Sequence, residues 1–236
     1  MQTNDPEHKK IVLSVTGIVK QVFELSKSLN LSGFEKEELK LESIISIKLP
    51  DQINITGWHW SEKSKNADFL SENIGVDLVT VEPGKKYNLK VRTKGDAEPG
   101  RYIGDLVLET DFKDIPEKKM MISLTITPDV QLAPRTVIMR EMRVSGGKTK
   151  NFEKRVSVIA ARGDSLQILE VIPDREDITV NVRETRPGKA FSCVISIRPP
   201  AKSGRYEGTV TFVTNYPGYE KLVLPIKGMV RVMDNE

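Results

Sequence analysis

The sequence is poorest in cysteine and histidine. A single cysteine among 236 residues, Cys193, excludes a disulfide within the chain, so packing must hold the fold without covalent staples. That lone thiol does not fix a compartment, because oxidising surroundings permit disulfides without demanding them. The two histidines, His8 and His59, fall in different domains by the repeat described below, so no histidine pair offers a local metal site and no Cys-His dyad is close in sequence. No nucleophile elbow or cysteine signature marks a catalytic residue. The expectation is a chain without enzyme activity, metal or cofactor. No run of about 18 apolar residues exists, and Met1-Gln2-Thr3-Asn4-Asp5 lacks the basic and then apolar start of a signal peptide, so no membrane insertion is expected. Charge of one sign is scarce too. Lys and Arg number 36 against 33 Asp and Glu, a formal +3, which gives no electrostatic case for nucleic acid.

What is present is a repeat. Gly100-Arg101-Tyr102-Ile103-Gly104 is matched by Gly204-Arg205-Tyr206-Glu207-Gly208, an offset of 104. The same offset relates Pro83-Gly84-Lys85 to Pro187-Gly188-Lys189, Tyr87 to Phe191, Leu89 to Cys193, Val91 to Ile195 and Thr110 to Thr214. A third copy is only a tail. Thr3-Asn4-Asp5-Pro6 resembles Thr214-Asn215-Tyr216-Pro217, and Ile11, Leu13, Val15, Gly17 and Val19 match Leu222, Leu224, Ile226, Gly228 and Val230. Aligning Ile122, Leu124, Ile126, Pro128 and Val130 with the same tail predicts a final hairpin loop four residues longer in the middle copy. The division follows as 1–19, the last strand of a truncated preceding repeat, then domains 20–129 and 130–236, each of ordinary size. Residues 1–19 would expose unpaired N–H and C=O groups unless they pair with the next domain or with another chain. The Pro128-Asp129 junction leaves little slack, which predicts a semi-rigid rod.

Within each copy the apolar residues alternate, as in half-buried strands: Tyr87, Leu89 and Val91, then Tyr102, Leu106 and Leu108, repeated by Phe191, Cys193, Ile195 and by Tyr206, Val210, Phe212. Turn chemistry separates the runs at Pro83-Gly84, Lys94-Gly95-Asp96, Pro99-Gly100, Arg162-Gly163-Asp164, Pro187-Gly188 and Pro217-Gly218. Such spacing predicts an all-β fold of two tandem immunoglobulin-like β-sandwich domains. Gly33–Leu41 is the one candidate for a short helix, with a loop or strand as the favoured reading. Gly104 and Gly208 take inward strand positions.

The turn Thr-Asn-x-Pro, the alternating apolar residues after it and the closing Gly-x-Val resemble bacterial tandem repeats of an uncharacterised domain family, within the immunoglobulin-like group of hydin-type, major-sperm-protein and PapD-like domains. The resemblance covers nearly the whole chain but consists only of turn and strand chemistry. It implies a seven-stranded sandwich and a periplasmic or cell-surface address, and it carries over no catalytic residue.

Several local patterns admit a functional reading beside a plain one. Trp58-His59-Trp60 puts both indoles on one face of a strand, as a sugar-stacking platform requires. Sandwich cores take tryptophan there as well, and the stretch Leu166, Ile168 and Leu169 in the second domain favours the core. Ser145-Gly146-Gly147-Lys148-Thr149 resembles a phosphate loop, but Met142 stands where that loop needs its first glycine, so it reads as a turn. Arg162-Gly163-Asp164 spells an adhesion tripeptide and is also ordinary turn chemistry. Arg135, Arg140, Arg143, Lys148, Lys150, Lys154 and Arg155 form a basic stretch followed by Asp164, Asp174, Glu176 and Asp177, so a mixed solvated surface is favoured over an anion-binding stripe. Asp174-Arg175-Glu176-Asp177 is poor material for calcium. Asn30-Leu31-Ser32 and Asn54-Ile55-Thr56 match the glycosylation sequon, which matters only in a eukaryotic secretory setting. The leading functional expectation is a structural or protein-binding module whose sheet edges accept an extended segment from a protein partner or a neighbouring domain. A carbohydrate-binding module using Trp58 and Trp60, and an intracellular scaffold, are the alternatives. The sequence leaves the oligomeric state open.

Overall fold

A computed structural model describes residues 14, 21–95, 97–145 and 151–233. Apart from Ser14, the proposed strand in 1–19 lies outside the described residues, as do His8 and Gly146–Thr149 of the phosphate-loop look-alike. The chain forms two compact units, one built mainly on Glu38–Ala97 and Arg101–Thr125 and the other mainly on the chain from Ile126 onward.

The first sandwich contains, in chain order, β1 (Phe23–Glu24), β2 (Ser28–Phe34), β3 (Lys40–Ile47), β4 (Ile55–Trp60), helix α1 (Ala67–Asn73), β5 (Ile74–Glu82), β6 (Lys86–Thr93), β7 (Gly100–Thr110) and β8 (Glu117–Thr127). The second contains β9 (Val130–Ala133), β10 (Val137–Ser145), β11 (Phe152–Ala160), β12 (Ile168–Pro173), β13 (Ile178–Arg186), β14 (Ala190–Ile197), β15 (Gly204–Thr214) and β16 (Lys221–Met233). The strands form four sheets, ordered β1-β3-β6-β5 and β2-β8-β7-β4 in the first copy and β9-β11-β14-β13 and β10-β16-β15-β12 in the second. The order is immunoglobulin-like. In the second copy the leading strand starts in one sheet as β9, antiparallel to β11, and continues in the other as β10, parallel to β16. That split gives eight strands per sandwich where the resemblance implied seven.

Alternation is the cause of the layering. Along β6, Tyr87, Leu89, Val91 and Thr93 are buried while Lys86, Lys90 and Arg92 are exposed. Along β15, Tyr206, Gly208, Val210, Phe212 and Thr214 are buried. A strand with one apolar face is stable only when a second sheet covers that face. Tyr87, Leu89, Leu106, Leu108, Met120 and Ile122 accordingly lie fully buried in the first sandwich, and Cys193, Ile195, Val210, Phe212 and Leu224 in the second.

The offset of 104 governs strand boundaries: β5, β6 and β7 begin and end 104 residues before β13, β14 and β15, and β8 begins 104 before β16. The expected longer hairpin in the middle copy is therefore corrected, since residues 111–116 and 215–220 make loops of equal length. Both are built alike. The Thr110 and Thr214 hydroxyls donate to the carbonyls of Ile115 and Tyr219 at 2.5 and 2.7 Å, and accept from the amides of Phe112 and Tyr216 at 3.2 and 3.1 Å. Met120 and Ile122 thus correspond to Leu224 and Ile226, all four buried.

Gly33–Leu41 is strand and turn rather than helix. The one helix among the described residues is α1, whose signal was only seven residues long. It is held from one side: Leu70 is fully buried, Phe69 stacks on Tyr102 with ring centroids 3.6 Å apart, and the Asn66 side chain accepts from the Ile103 amide at 3.1 Å. Leu70 packs over Gly104, where a Cβ would lie 2.6 Å from the leucine Cδ1. At Gly208 a Cβ would lie 3.0 Å from both Arg175 Cδ and Ile178 Cδ1.

Two outcomes are expected. Gly208→Val should lower stability by about 1 to 3 kcal/mol through overpacking, measured as a drop in melting temperature; an unchanged melting temperature contradicts the inward register. Cys193 is fully buried, and burial pushes its thiol up to about 11, so a thiol reagent should label it only at the rate at which the second sandwich opens. Immediate stoichiometric labelling under native conditions would rule this packing out.

Candidate functional site

An open feature of the first sandwich is the side on which its two sheets end at β4 and β5. Among the described residues, β4 pairs only with β7 and β5 only with β6. Among these residues each therefore leaves one row of backbone N–H and C=O groups without a ladder partner, the template that an added strand uses. Between them lies an open groove of about 750 Å³ with Ile55 and Trp58 on one wall, Val76, Leu78 and Thr80 on the other, and Lys90 behind.

Trp58 and Trp60 stand opposite Leu108 and Leu106 across the β4–β7 ladder. Those leucines are fully buried, and directly opposed residues share a face, so both indoles face inward at the edge of the core, half-buried. Of the two, only Trp58 lines the groove. His59 takes the outer face, with Nδ1 2.8 Å from Glu109 Oε1. Strand register also corrects the comparison with Leu166, Ile168 and Leu169. Val171 opposes Phe212 and Pro173 opposes Val210, and since Leu108 and Leu106 stand 104 residues before Phe212 and Val210, the true counterparts of Trp58 and Trp60 are Val171 and Pro173.

The turn behind the groove is fixed by one buried hydroxyl. Tyr87 Oη accepts from the amides of Ile55 and Gly84, each at 3.2 Å, and donates to the Ile53 carbonyl at 3.3 Å. It anchors the start of β4 beside the β5–β6 turn. Gly84 there has φ of +67°, a conformation that favours glycine.

In the second sandwich the acidic cluster is structural. The Asp177 carboxylate accepts from Arg175 Nε and Nη2 at 2.9 and 3.1 Å and from Tyr206 Oη at 3.1 Å, and the guanidinium lies 4.7 Å over the Tyr206 ring. Asp174 accepts from the Thr209 amide at 2.8 Å. Both carboxylates are thus engaged by protein donors, and among the described residues no group of three or more His, Cys, Asp or Glu could hold a metal ion. Sequence reasoning missed the Arg175–Asp177–Tyr206 triad because Tyr206 lies 29 residues from Asp177 in the chain. Burial would raise the Asp177 carboxyl, but the Arg175 guanidinium and the Tyr206 hydroxyl outweigh it and hold the group below its usual range. Burial and then the Asp177 charge push Tyr206 up to about 12.

The remaining sequence patterns resolve into local structure. Gly163, with φ of +74°, makes a turn whose Arg162 carbonyl accepts from Tyr216 Oη at 3.0 Å and whose Ser165 carbonyl accepts from Asn215 at 2.8 Å. In the basic stretch Glu141 faces Arg143 at 3.2 Å and Arg231 at 3.4 Å, so positive charge is interleaved with negative. Asn54 of one sequon donates to Asp111 at 2.9 Å, and Asn30 of the other is exposed on β2.

No family model matches the chain, and no curated protein matches it. Among solved structures it is similar to a protein of unknown function from Porphyromonas gingivalis W83, at 12% identity over 89% of this chain and 100% of the other, with a TM-score of 0.36. It is similar also to cadherin-like domains 1 to 4 of zebrafish RET, at 9% identity over 89% and 51%, TM-score 0.35. A third is the PapD-like domain 7 of human CEP192, at 10% identity over 51% and 98%, TM-score 0.33. At these scores the likenesses add nothing to the strand order.

The Asp177 contacts generate a pH dependence. A carboxyl held below its unfolded value of about 3.9 stabilises the fold fully above that pH, and the contribution is lost as pH falls through the lower folded value. Asp177→Asn should cost about 1 to 2 kcal/mol at neutral pH, discounted because Arg175 is partly exposed. In denaturant melts the gap between wild type and variant should close below about pH 4; a gap of constant size would show that the carboxylate charge contributes nothing.

Proposed function

We propose that this chain is a non-catalytic, protein-binding tandem β-sandwich module of a larger extracytoplasmic bacterial protein, and that it engages partners by strand addition at the paired edges β4 and β5. The observation that carries the reading is the groove between those edges. Among the described residues the backbone rows on both walls have no ladder partner, and a lining that mixes apolar Trp58, Val76 and Leu78 with polar Thr56, Asp77, Thr80 and Lys90 suits the alternating side chains of an extended segment. The outward row of β5 adds exposed apolar surface at Val79 and Val81. The extracytoplasmic address rests on the resemblance of the Thr214-Asn215-Tyr216-Pro217 turn and its strand to bacterial tandem repeats.

Carbohydrate stacking is the less supported alternative. A sugar platform requires ring faces open to solvent, whereas both indoles face inward and Trp60 lies off the groove. An intracellular scaffold would use the same edges and differs only in location.

Hydrogen exchange tests the reading. Extended peptides with alternating apolar residues should slow exchange at β4 or β5 amides and shift Trp58 emission, while a panel of glycans leaves both unchanged. If no peptide protects either edge, strand addition is wrong; if a glycan shifts the emission saturably, the carbohydrate reading replaces it.

A further inference from the structure

Resting on the strand-addition reading, we propose that Lys85 and Tyr87 are positioning residues, which clamp the chain entering β4 to the β5–β6 turn and so hold the two edges at the spacing an extended segment needs before that segment arrives. The edges lie in different sheets, so no ladder bond joins them. Side chains join them instead. Lys85 Nζ donates to the carbonyls of Leu49, Pro50 and Asp51 at 2.8, 2.6 and 3.2 Å, which uses all three of its N–H bonds. The Tyr87 hydroxyl holds the next stretch through its bonds to Ile53, Ile55 and Gly84. Between these two anchors the loop touches the turn directly, since a Cβ at Gly84 would lie 2.6 Å from Gln52 Cβ.

The second copy shows that the sandwich itself does not require the clamp. With Trp58 and Val171 as counterparts, residues 49–53 correspond to 162–166, and Phe191, which has no hydroxyl, stands in the place of Tyr87. The side-chain ties of that loop run to the β15–β16 hairpin, in the same sheet as β12. Tyr216 Oη donates to the Arg162 carbonyl at 3.0 Å, and Asn215 donates to the Ser165 carbonyl at 2.8 Å and accepts from the Gln167 amide at 2.7 Å. The first copy keeps a tie of this kind, with Asp111 accepting from the Asn54 amide and side chain at 2.8 and 2.9 Å. To it the first copy adds the clamp, whose bonds cross from one sheet to the other in the sandwich where the groove lies.

The backbone groups available for pairing belong to other residues. The Ser61 amide donates to the Asp105 carbonyl at 2.9 Å, and antiparallel pairs alternate between bonded and non-bonded, so Gly57 and His59 bond to β7 while the amides of Trp58 and Trp60 point away from it. On β5 the Lys94 amide donates to the Asn73 carbonyl at 2.8 Å. By the same alternation the amides of Val76, Leu78 and Thr80 point away from β6. Neither Lys85 nor Tyr87 lines the groove, so each acts through the edges it holds.

The test uses the full chain and, as probe, a capped peptide of alternating valine and threonine with the nine-residue length of β5. In wild type it should slow exchange at the Trp58 amide or at those of Val76 and Leu78. Tyr87→Phe installs the residue the second copy carries, and Lys85→Met keeps the stem without the donors. The double variant should bind the peptide about tenfold more weakly, as when only about one molecule in ten holds the competent spacing. The loss should fall on the association rate and leave dissociation unchanged, because the peptide's own contacts are intact. Ile122→Val, a core change on β8 with β7 between it and β4, lowers stability and should leave both rates at their wild-type values. Wild-type rates in the double variant, a loss confined to dissociation, or an equal loss in Ile122→Val would overturn the clamp and leave strand addition standing. If the peptide protects neither edge of the wild type, strand addition fails and the clamp with it.

Discussion

Without a disulfide, and with no metal cluster among the described residues, each sandwich depends on two apolar stripes covering one another. Tyr87 and Leu89 of one sheet meet Leu106, Leu108, Met120 and Ile122 of the other, each 2% exposed or less. Each such side chain contributes about 1.5 to 3 kcal/mol on burial, against a loss of chain entropy of similar total size. Little margin remains, so the layers must approach closely and evenly. Gly104 and Gly208 are small for that reason, since Leu70 in one copy and Arg175 with Ile178 in the other occupy the volume a side chain would need.

Face-to-face burial leaves the sheet edges unsettled. A closed barrel has none, whereas a sandwich has four, and each offers backbone groups to whatever strand arrives. In the second copy the edge strand β12 ends on Pro173 and β13 carries both signs of charge. In the first copy the equivalent of Pro173 is Trp60, and the equivalent of β13 is β5, with acidic charges only. The same requirement that builds the core therefore leaves one side of one sandwich chemically distinct, and it is the side where the groove lies.

Period-two alternation made the strands and their inward faces legible, and the glycine and proline turns between them made the sheet count legible. Alternation cannot by itself choose among even offsets, because shifting a strand by two or four residues leaves every side chain on its original face. That is why Ile122 aligned as well with Leu222 as with Ile226, and why the final hairpin was assigned four extra residues. Thr110 and Thr214, which cap the two loops through identical hydrogen bonds, fix the true offset. Helix α1 was illegible for a different reason. Seven residues carry too little periodicity, and its stability comes from Tyr102 and Gly104 on a strand more than thirty residues later. The groove was half legible, since Trp58 stood out by composition, whereas its opposite wall on β5 is brought near only by the fold.

The two copies separate what a sandwich needs from what it can vary. Tyr87 and Phe191 hold the same core position, and both fill it, so packing alone does not require the hydroxyl. What the hydroxyl adds is a link from the core to the amides of Ile55 and Gly84 and the carbonyl of Ile53, fixing how β4 enters beside the turn that leads out of β5. Phe191 makes no such link, and the corresponding turn is closed instead by the Leu166 amide donating to Gly188 at 2.9 Å, a bond the first copy also has between Ile53 and Gly84 at 3.1 Å. The backbone bond is thus common to the fold, and the tyrosine is an extra restraint on the pair of edges that frames the groove. On the strand-addition proposal that restraint would fall where it matters most, because an edge ordered only after its partner arrives loses affinity.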